Sequence, residues 1–427
     1  MRQESDPRVF IQPPYIACPK CGAGSFGVLY IQGNYFFRRC CECSHDQQYR
    51  LPKIHKKVVY LDQFAISNMM KALNPGTGAQ KNRSLAPFWA TLFQKLNRLC
   101  KLQLIVCPES AAHNKESLVS SYYQSLKKVY ELLSQGVSFH DSDWIRDLQV
   151  NEHLRHWLDG DCEYEPELDI NSIVQGEINI WTERFTINVD IPWRQEWIDD
   201  VRKQRDELSN EIGQIFVRWQ TEAKKTFDDW FEEEALAFGR NHILAYESER
   251  KKYQDLKAGR RELTINDCFP SSSVKLILMI QQTLRSAGIR DKDAVMKTVE
   301  YLTSPSLKRM PFLKISSMLW AGVARKGASG QKRLPTRGMA SDIETISTLL
   351  PYCDSMFIDD ECRAYLNEEP LRTELDFGTA LFSQSNKQEF LDYLDAIEMS
   401  MSEKHMTIIQ GVYGPHWTSS NSVSKAG

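Results

Sequence analysis

Two Cys-x-x-Cys pairs near the N-terminus restrict this chain more than any other feature. Cys18-Pro-Lys-Cys21 and Cys40-Cys-Glu-Cys43 are separated by 18 residues. Each pair forms a tight turn that aims two sulfurs at one point, so together they offer four thiolates to one tetrahedral zinc ion. Five of the eleven cysteines fall in the first 43 residues and the rest are scattered. An odd total in a reducing compartment argues against a disulfide framework. The spacer is aromatic and β-prone around Gly33-Asn34, which reads as a hairpin. Cys41 is an extra thiol with poorer spacing than Cys40, and His45 is a weaker substitute ligand. A segment of about 50 residues can hardly fold without such a staple.

The arrangement resembles a zinc ribbon over residues 1–52. Beside a structural role, Arg38, Arg39, Tyr35 and Phe36 suit contact with nucleic acid. The formal net charge of −3 excludes a globally basic binder, so such contact must come from local patches. Hydrophobic and charged fractions of 42% and 26% exclude wholesale disorder, and 427 residues suggest two to three domains. No apolar run approaches the ~18 residues of a membrane span. The longest candidate, Val274 to Ile280, is broken by Lys275. The opening MRQESDPR lacks the apolar core of a secretory signal, so a cytoplasmic location is expected.

Beyond a linker at 51–57, Val58 to Leu61 is a short apolar run that stops at Asp62, and Leu102 to Cys107 stops at Pro108. Between them, Leu85, Phe88, Trp89, Leu92, Phe93, Leu96 and Leu99 recur at helical spacing. Strand, helix, strand makes a βαβ unit and implies a parallel sheet. Ser110 to Gly136 reads as one helix with Ser110 as its N-cap. Residues 140–337 look all-helical. Leu208, Ile212, Ile215, Trp219, Ala223, Phe227, Trp230 and Phe231 fit one long amphipathic helix or two. A helix opened by Ser341 or Asp342, with Ile343, Ile346, Leu349 and Leu350 apolar, ends at Pro351. It feeds a strand from Cys353 to Ile358 that stops at Asp359 and Asp360. A last amphipathic helix runs from Lys387 to Met401, and 418–427 form a small-residue tail.

Asp62 and Asp359 thus end parallel strands, and Asp342 begins a helix that feeds one. Ligands of open α/β sheets gather at the carboxyl ends of strands. Carboxylates meeting there repel one another unless a divalent cation neutralises them. Hard oxygen donors without a cysteine or histidine cluster select Mg2+ or Mn2+ and suit phosphodiester hydrolysis.

These residues resemble the PIN-like ribonucleases. Tyr60-Leu-Asp62-Gln-Phe-Ala-Ile-Ser67 looks like their first motif, Pro108-Glu-Ser110-Ala-Ala-His113-Asn-Lys-Glu116 like the second, and Ser341-Asp342 through Asp354 to Asp359 like the third and fourth. The resemblance implies an α/β fold, a PIN-like parallel sheet flanked by helices. Its halves would be 56–139 and 338–417, around a large all-α insertion at 140–337. It implies Asp62, Glu116, Asp342 and Asp359 as metal-binding catalytic acids, with Asp354 or Asp360 as neighbours and Glu109 as the rival of Glu116. His113, three residues before Glu116, either orients phosphate or is structural. Arg325, Lys326, Lys332, Arg333 and Arg337 stand in a glycine-containing stretch without acids, read as a flexible loop that holds a phosphate backbone.

The expected function is a Mg2+- or Mn2+-dependent endoribonuclease, toxin-like or antiphage, with RNA favoured over DNA as partner. A DNA nuclease on the same acids, or a non-catalytic nucleic-acid-binding protein with a relict fold, are the alternatives. A partner that activates or inhibits, and a second copy of the chain, stay open.

Overall fold

A computed structural model describes residues 10–74, 86–118, 120–160, 164–184, 195–222, 224–264, 267, 270–336 and 338–418. The ribbon supplies β1 (Gln12–Ile16), β2 (Phe26–Gln32), β3 (Tyr35–Cys40) and β4 (Asp46–Arg50), an antiparallel sheet in that order. Then come β5 (Lys57–Leu61), α1 (Gln63–Leu73), α2 (Ala86–Lys101), β6 (Ile105–Val106), α3 (Ala111–Leu118), α4 (Tyr123–Ser134) and β7 (Ser138–Phe139). The middle of the chain holds α5 (Ser142–Leu158), β8 (Val174–Gln175), α6 (Gln195–Trp219), α7 (Phe227–Lys257), α8 (Ser272–Ser286), α9 (Asp291–Leu302) and α10 (Pro311–Ala328). The last part is α11 (Met339–Leu349), β9 (Ser355–Phe357), α12 (Asp360–Leu366), α13 (Leu371–Glu374), β10 (Ala380–Phe382), α14 (Lys387–Met399) and α15 (Glu403–Tyr413).

The second sheet has the order β10-β9-β5-β6, with every pair parallel. Its central strand, Lys57-Val-Val-Tyr-Leu61, is apolar on both faces because helices cover both. Val58 and Tyr60 join one core with α10, α11 and α12. Val59 and Leu61 join the other with α1, α2, α4 and α14. From β5 the chain passes to β6 on one side, then returns to lay β9 and β10 on the other. The connections therefore diverge between the carboxyl ends of β5 and β9, the switch point where open α/β sheets bind ligands.

Several expectations need correcting. Leu102 to Leu104 form a turn that closes α2, with Gln103 at φ 61°, so only Ile105 and Val106 pair as strand. The span Ser110 to Gly136 is two helices, although Ser110 caps the first, its Oγ accepting the His113 N–H at 3.3 Å. The insertion is not all-α, since β8 pairs antiparallel with β7. It also reaches back to the ribbon, where the Trp181 Nε1–H donates to the Pro52 carbonyl at 2.9 Å. Of the two alternatives for the long amphipathic stretch, one helix or two, the structure has two, α6 and α7. The buried face of α6 carries Phe216, while Ile215 is 39% exposed. The side chain of Leu208, Ala223, and residues 419–427 of the tail lie outside the described residues. Asp342 sits inside the first turn of α11, its N–H bonded to the Gly338 carbonyl, and does not open the helix.

The N-terminal sheet packs against the rest of the chain. Arg38, 4% exposed, donates to the carbonyls of Pro14 at 2.7 Å, Phe26 at 2.9 Å and Gly411 at 2.7 Å. It therefore ties the ribbon to α15. Val28, Ile31, Trp181, Ile409 and Val412 complete that junction. Arg38 and the half-buried Phe36 are thus withdrawn from any nucleic-acid surface, whereas Tyr35 remains exposed.

Candidate metal centres

Ligand atoms of Cys18, Cys21, Cys40 and Cys43 all lie within 4.8 Å of one another. Cys18 Sγ and Cys43 Sγ are 3.6 Å apart, and Cys21 Sγ and Cys40 Sγ 3.7 Å. Zn–S bonds of about 2.3 Å in a tetrahedron require S···S edges of about 3.8 Å, so the quartet fits a metal such as zinc. The Lys20 and Glu42 N–H groups each donate to a sulfur at 3.4 Å, on Cys18 and Cys40. The Cys43 N–H is foremost in holding the Cys40 thiol down at about 6, against desolvation. Cys41 stays outside the quartet, its N–H bonded to the Ser25 carbonyl. His45 stacks on Phe26 at 5.8 Å and is no ligand.

At the switch point, β5 delivers Asp62 and β9 delivers Asp359. Both cap the helices that follow. Asp62 Oδ1 accepts from the Phe64 N–H at 3.1 Å, and Asp359 Oδ1 from the Glu361 N–H at 2.7 Å. Asp342 enters from α11. Together with Tyr60, Thr345, Ile346, Ile358 and Cys362 these three acids line a small cleft of about 10 Å³, room for one water-sized species.

The electrostatics bind the group together. Burial raises Asp62 to about 7, opposed by the Phe64 N–H and reinforced by the charges of Glu116 and Asp359. Burial also raises Asp342 to about 8, with Asp62, Glu116, Asp359 and Glu361 adding to it. Three elements therefore direct carboxylates at one cleft, and α3 holds Glu116 near enough for its charge to act on Asp62 and Asp342. Their oxygens stand apart, however. Among the described residues, the cysteine quartet is the only set of three or more such ligands closed to 4.8 Å.

The rival positions separate clearly. Glu116 acts on Asp62 and Asp342, whereas Glu109 faces Lys127 and Glu131 in a different cleft. Asp354 lies at the opposite end of β9, where it accepts from the Val58 N–H at 2.8 Å and pairs with Lys57 at 3.0 Å. Asp360 turns to the loop after β10, accepting from Ser383 Oγ at 2.6 Å and the Ser385 N–H at 2.8 Å. Asp359 is therefore the acid at the cleft. Glu361 joins the cluster without having been singled out. It stands two residues past the cap, and only the turn of α12 brings it round to Asp342.

His113 is structural. It is 2% exposed, its Nδ1 accepts the Ser110 N–H at 3.1 Å and its Nε2 lies 2.7 Å from the Leu61 carbonyl. Nε2 therefore carries the proton. Burial lowers the ring to about 4, so it is neutral, and it sits between Tyr60 and Tyr130 at 5.2 and 4.7 Å. It anchors α3 to the carbonyl that precedes Asp62.

The basic stretch divides. Arg325 and Lys326 belong to α10 and both pair with Glu368, at 3.0 and 2.8 Å. Lys326 also lies over the Tyr365 ring. Helix geometry turned these two toward an acid across the fold, so they leave the proposed phosphate-binding loop. Lys332 and Arg333 are exposed on the loop, and Arg337 lies outside the described residues. The loop ends at Gly338, where a Cβ would come 3.4 Å from Asp342 Oδ2.

No family model, curated protein or solved structure matches this chain. Among the described residues, no helix is long and apolar enough to cross a membrane.

Proposed function

We propose that the chain is a metal-dependent endoribonuclease of the PIN-like type. Asp62, Glu116, Asp342 and Asp359 would hold Mg2+ or Mn2+, and the cysteine quartet would hold a structural zinc. The observation that carries this reading is the convergence of Asp62, Asp342 and Asp359 on one cleft at the switch point, two of them raised by burial and by neighbouring acids that include Glu116. The donor set fits a hard divalent cation, which would supply the charge neutralisation and activated water of phosphodiester hydrolysis. The chain's own part is positional. The helix caps at Asp62 and Asp359 fix two carboxylates, and His113 locks the end of β5. Exposed Lys332 and Arg333, on the loop leading to Asp342, would meet substrate phosphates.

The test is cleavage of labelled single-stranded RNA and DNA by wild-type, Asp62→Asn and Asp342→Asn proteins with Mg2+ or Mn2+. Metal-dependent RNA cleavage lost in both variants supports the proposal. Cleavage of DNA alone moves the same acids to a DNA nuclease. Products ending in 2′,3′-cyclic phosphate would mean that the RNA's own hydroxyl attacks, and would defeat hydrolysis. A binding protein on a relict site is the second reading, favoured by the open spacing of the carboxylates. Growth arrest on expression, dependent on Asp62, would support the toxin-like or antiphage role.

A further inference from the structure

We infer that the outer face of the ribbon sheet binds single-stranded nucleic acid by base stacking. Strand alternation sorts the residues. Phe26, Val28, Ile31 and Arg38 point inward and are buried. The opposite face pairs Tyr30 with Phe37, Gln32 with Tyr35 and Gly27 with Arg39, and β4 adds Arg50 opposite Tyr35. The Tyr30 and Phe37 rings stack at 4.3 Å. Tyr15 packs against Gly27, where a Cβ would come 2.5 Å from its ring. Any larger residue at position 27 would displace that ring. Tyr15, Tyr30 and Tyr35 are 45%, 44% and 40% exposed.

A single exposed aromatic is ordinary, but several rings on one sheet face form a surface on which unpaired bases can lie. The charge selects the occupant. Between residues 10 and 57 there are seven Lys and Arg against two Asp and Glu, in a chain of net charge −3. Zinc with four thiolates would carry two negative charges and leave this segment still positive. Among the described residues neither the Arg39 nor the Arg50 side chain has an ion pair. Asp46, opposite Arg39 in the register, is not within pairing distance. Two uncommitted guanidiniums beside the rings match a phosphate backbone. The inference deepens the proposed function by naming a single strand as the substrate class, but binding here does not need the carboxylates to work.

The experiment uses the full-length zinc-loaded protein and fluorescein-labelled oligouridylate or oligothymidylate. Anisotropy is followed without added Mg2+ or Mn2+. Tyr30→Ala with Tyr35→Ala should weaken binding about tenfold or more for each stack lost, and Tyr→Phe at both positions should keep it. Arg39→Ala with Arg50→Ala should lower the slope of log affinity against log salt by about 1.4. A duplex of the same length should compete poorly. Wild-type affinity in the alanine pair with zinc retained would overturn the inference. So would equal binding of duplex, or dissociation of a dimer as the only effect. If the alanine pair loses zinc, the phenylalanine and arginine pairs decide. Loss of binding without any metal-dependent cleavage by wild type would sink the nuclease reading alone. Cleavage with binding untouched by these variants would sink this inference alone.

Discussion

Replacing Asp342 with asparagine should stabilise the protein when no Mg2+ or Mn2+ is present, and increasingly so as pH rises. Burial, then the charges of Asp62, Glu116, Asp359 and Glu361, raises its carboxyl from 3.8 to about 8. Below about pH 4 both folded and unfolded chains hold the proton, and the group costs nothing. Above that the unfolded chain ionises while the folded one does not, and folding loses about 1.4 kcal/mol per pH unit until the folded value is passed. By this arithmetic the penalty is on the order of 4 kcal/mol at pH 7. Asp62, raised to about 7, shares the repulsion, so the two penalties do not add. Asparagine carries no charge, and Asp342 caps no helix, so the replacement loses no capping bond. The advantage of the mutant over wild type should therefore grow by about 2–3 kcal/mol from pH 5 to pH 7. Unfolding followed by circular dichroism at pH 5, 6, 7 and 8 measures it, with zinc retained. Saturating Mn2+ should raise the wild-type stability at pH 7 and leave the mutant nearly unchanged. A wild-type protein equally stable from pH 5 to 8, with a mutant no better at any pH, would refute the crowding of these carboxylates.

Three further outcomes follow from the geometry. Cys43→Ser should drop zinc below half an equivalent by elemental analysis, while Cys41→Ser keeps one equivalent, because only Cys43 stands in the quartet. Glu116→Gln should abolish metal-dependent cleavage and Glu109→Gln should leave it intact. Equal activity of both variants would remove Glu116 from the site. Arg38→Met should destabilise the ribbon junction by about 3 kcal/mol or more, since it strips donors from three carbonyls. Faster proteolytic release of the ribbon would report it, and unchanged release would mean the junction rests on apolar packing alone.

Much of this was written locally. The Cys-x-x-Cys spacing is a short-range geometric constraint, so the quartet could be read without knowing the fold. Val58 to Leu61 and Met356 to Ile358 are apolar on consecutive residues, as suits a strand covered on both faces, and each run stops at an acid. The sequence therefore placed Asp62 and Asp359 at strand ends. It could not separate Asp359 from Asp360, because both follow the same strand. That choice is made by Ser383 and Ser385, which arrive from β10 to bind Asp360.

Charge was the least legible property. Arg38 and Arg39 are neighbours with the same chemistry, yet strand alternation buries one against α15 and leaves the other at the surface. Arg325 and Lys326 looked like the start of a free loop, but one more turn of α10 carries them to Glu368, more than 40 residues away. Local periodicity determined where strands, helices and the cysteine turns would form, because those depend on neighbours within a few residues. Which charges face each other, and hence which carboxylates crowd and which cations remain free, was decided only when distant elements packed. Coulomb interactions depend on distance through space and not on separation along the chain.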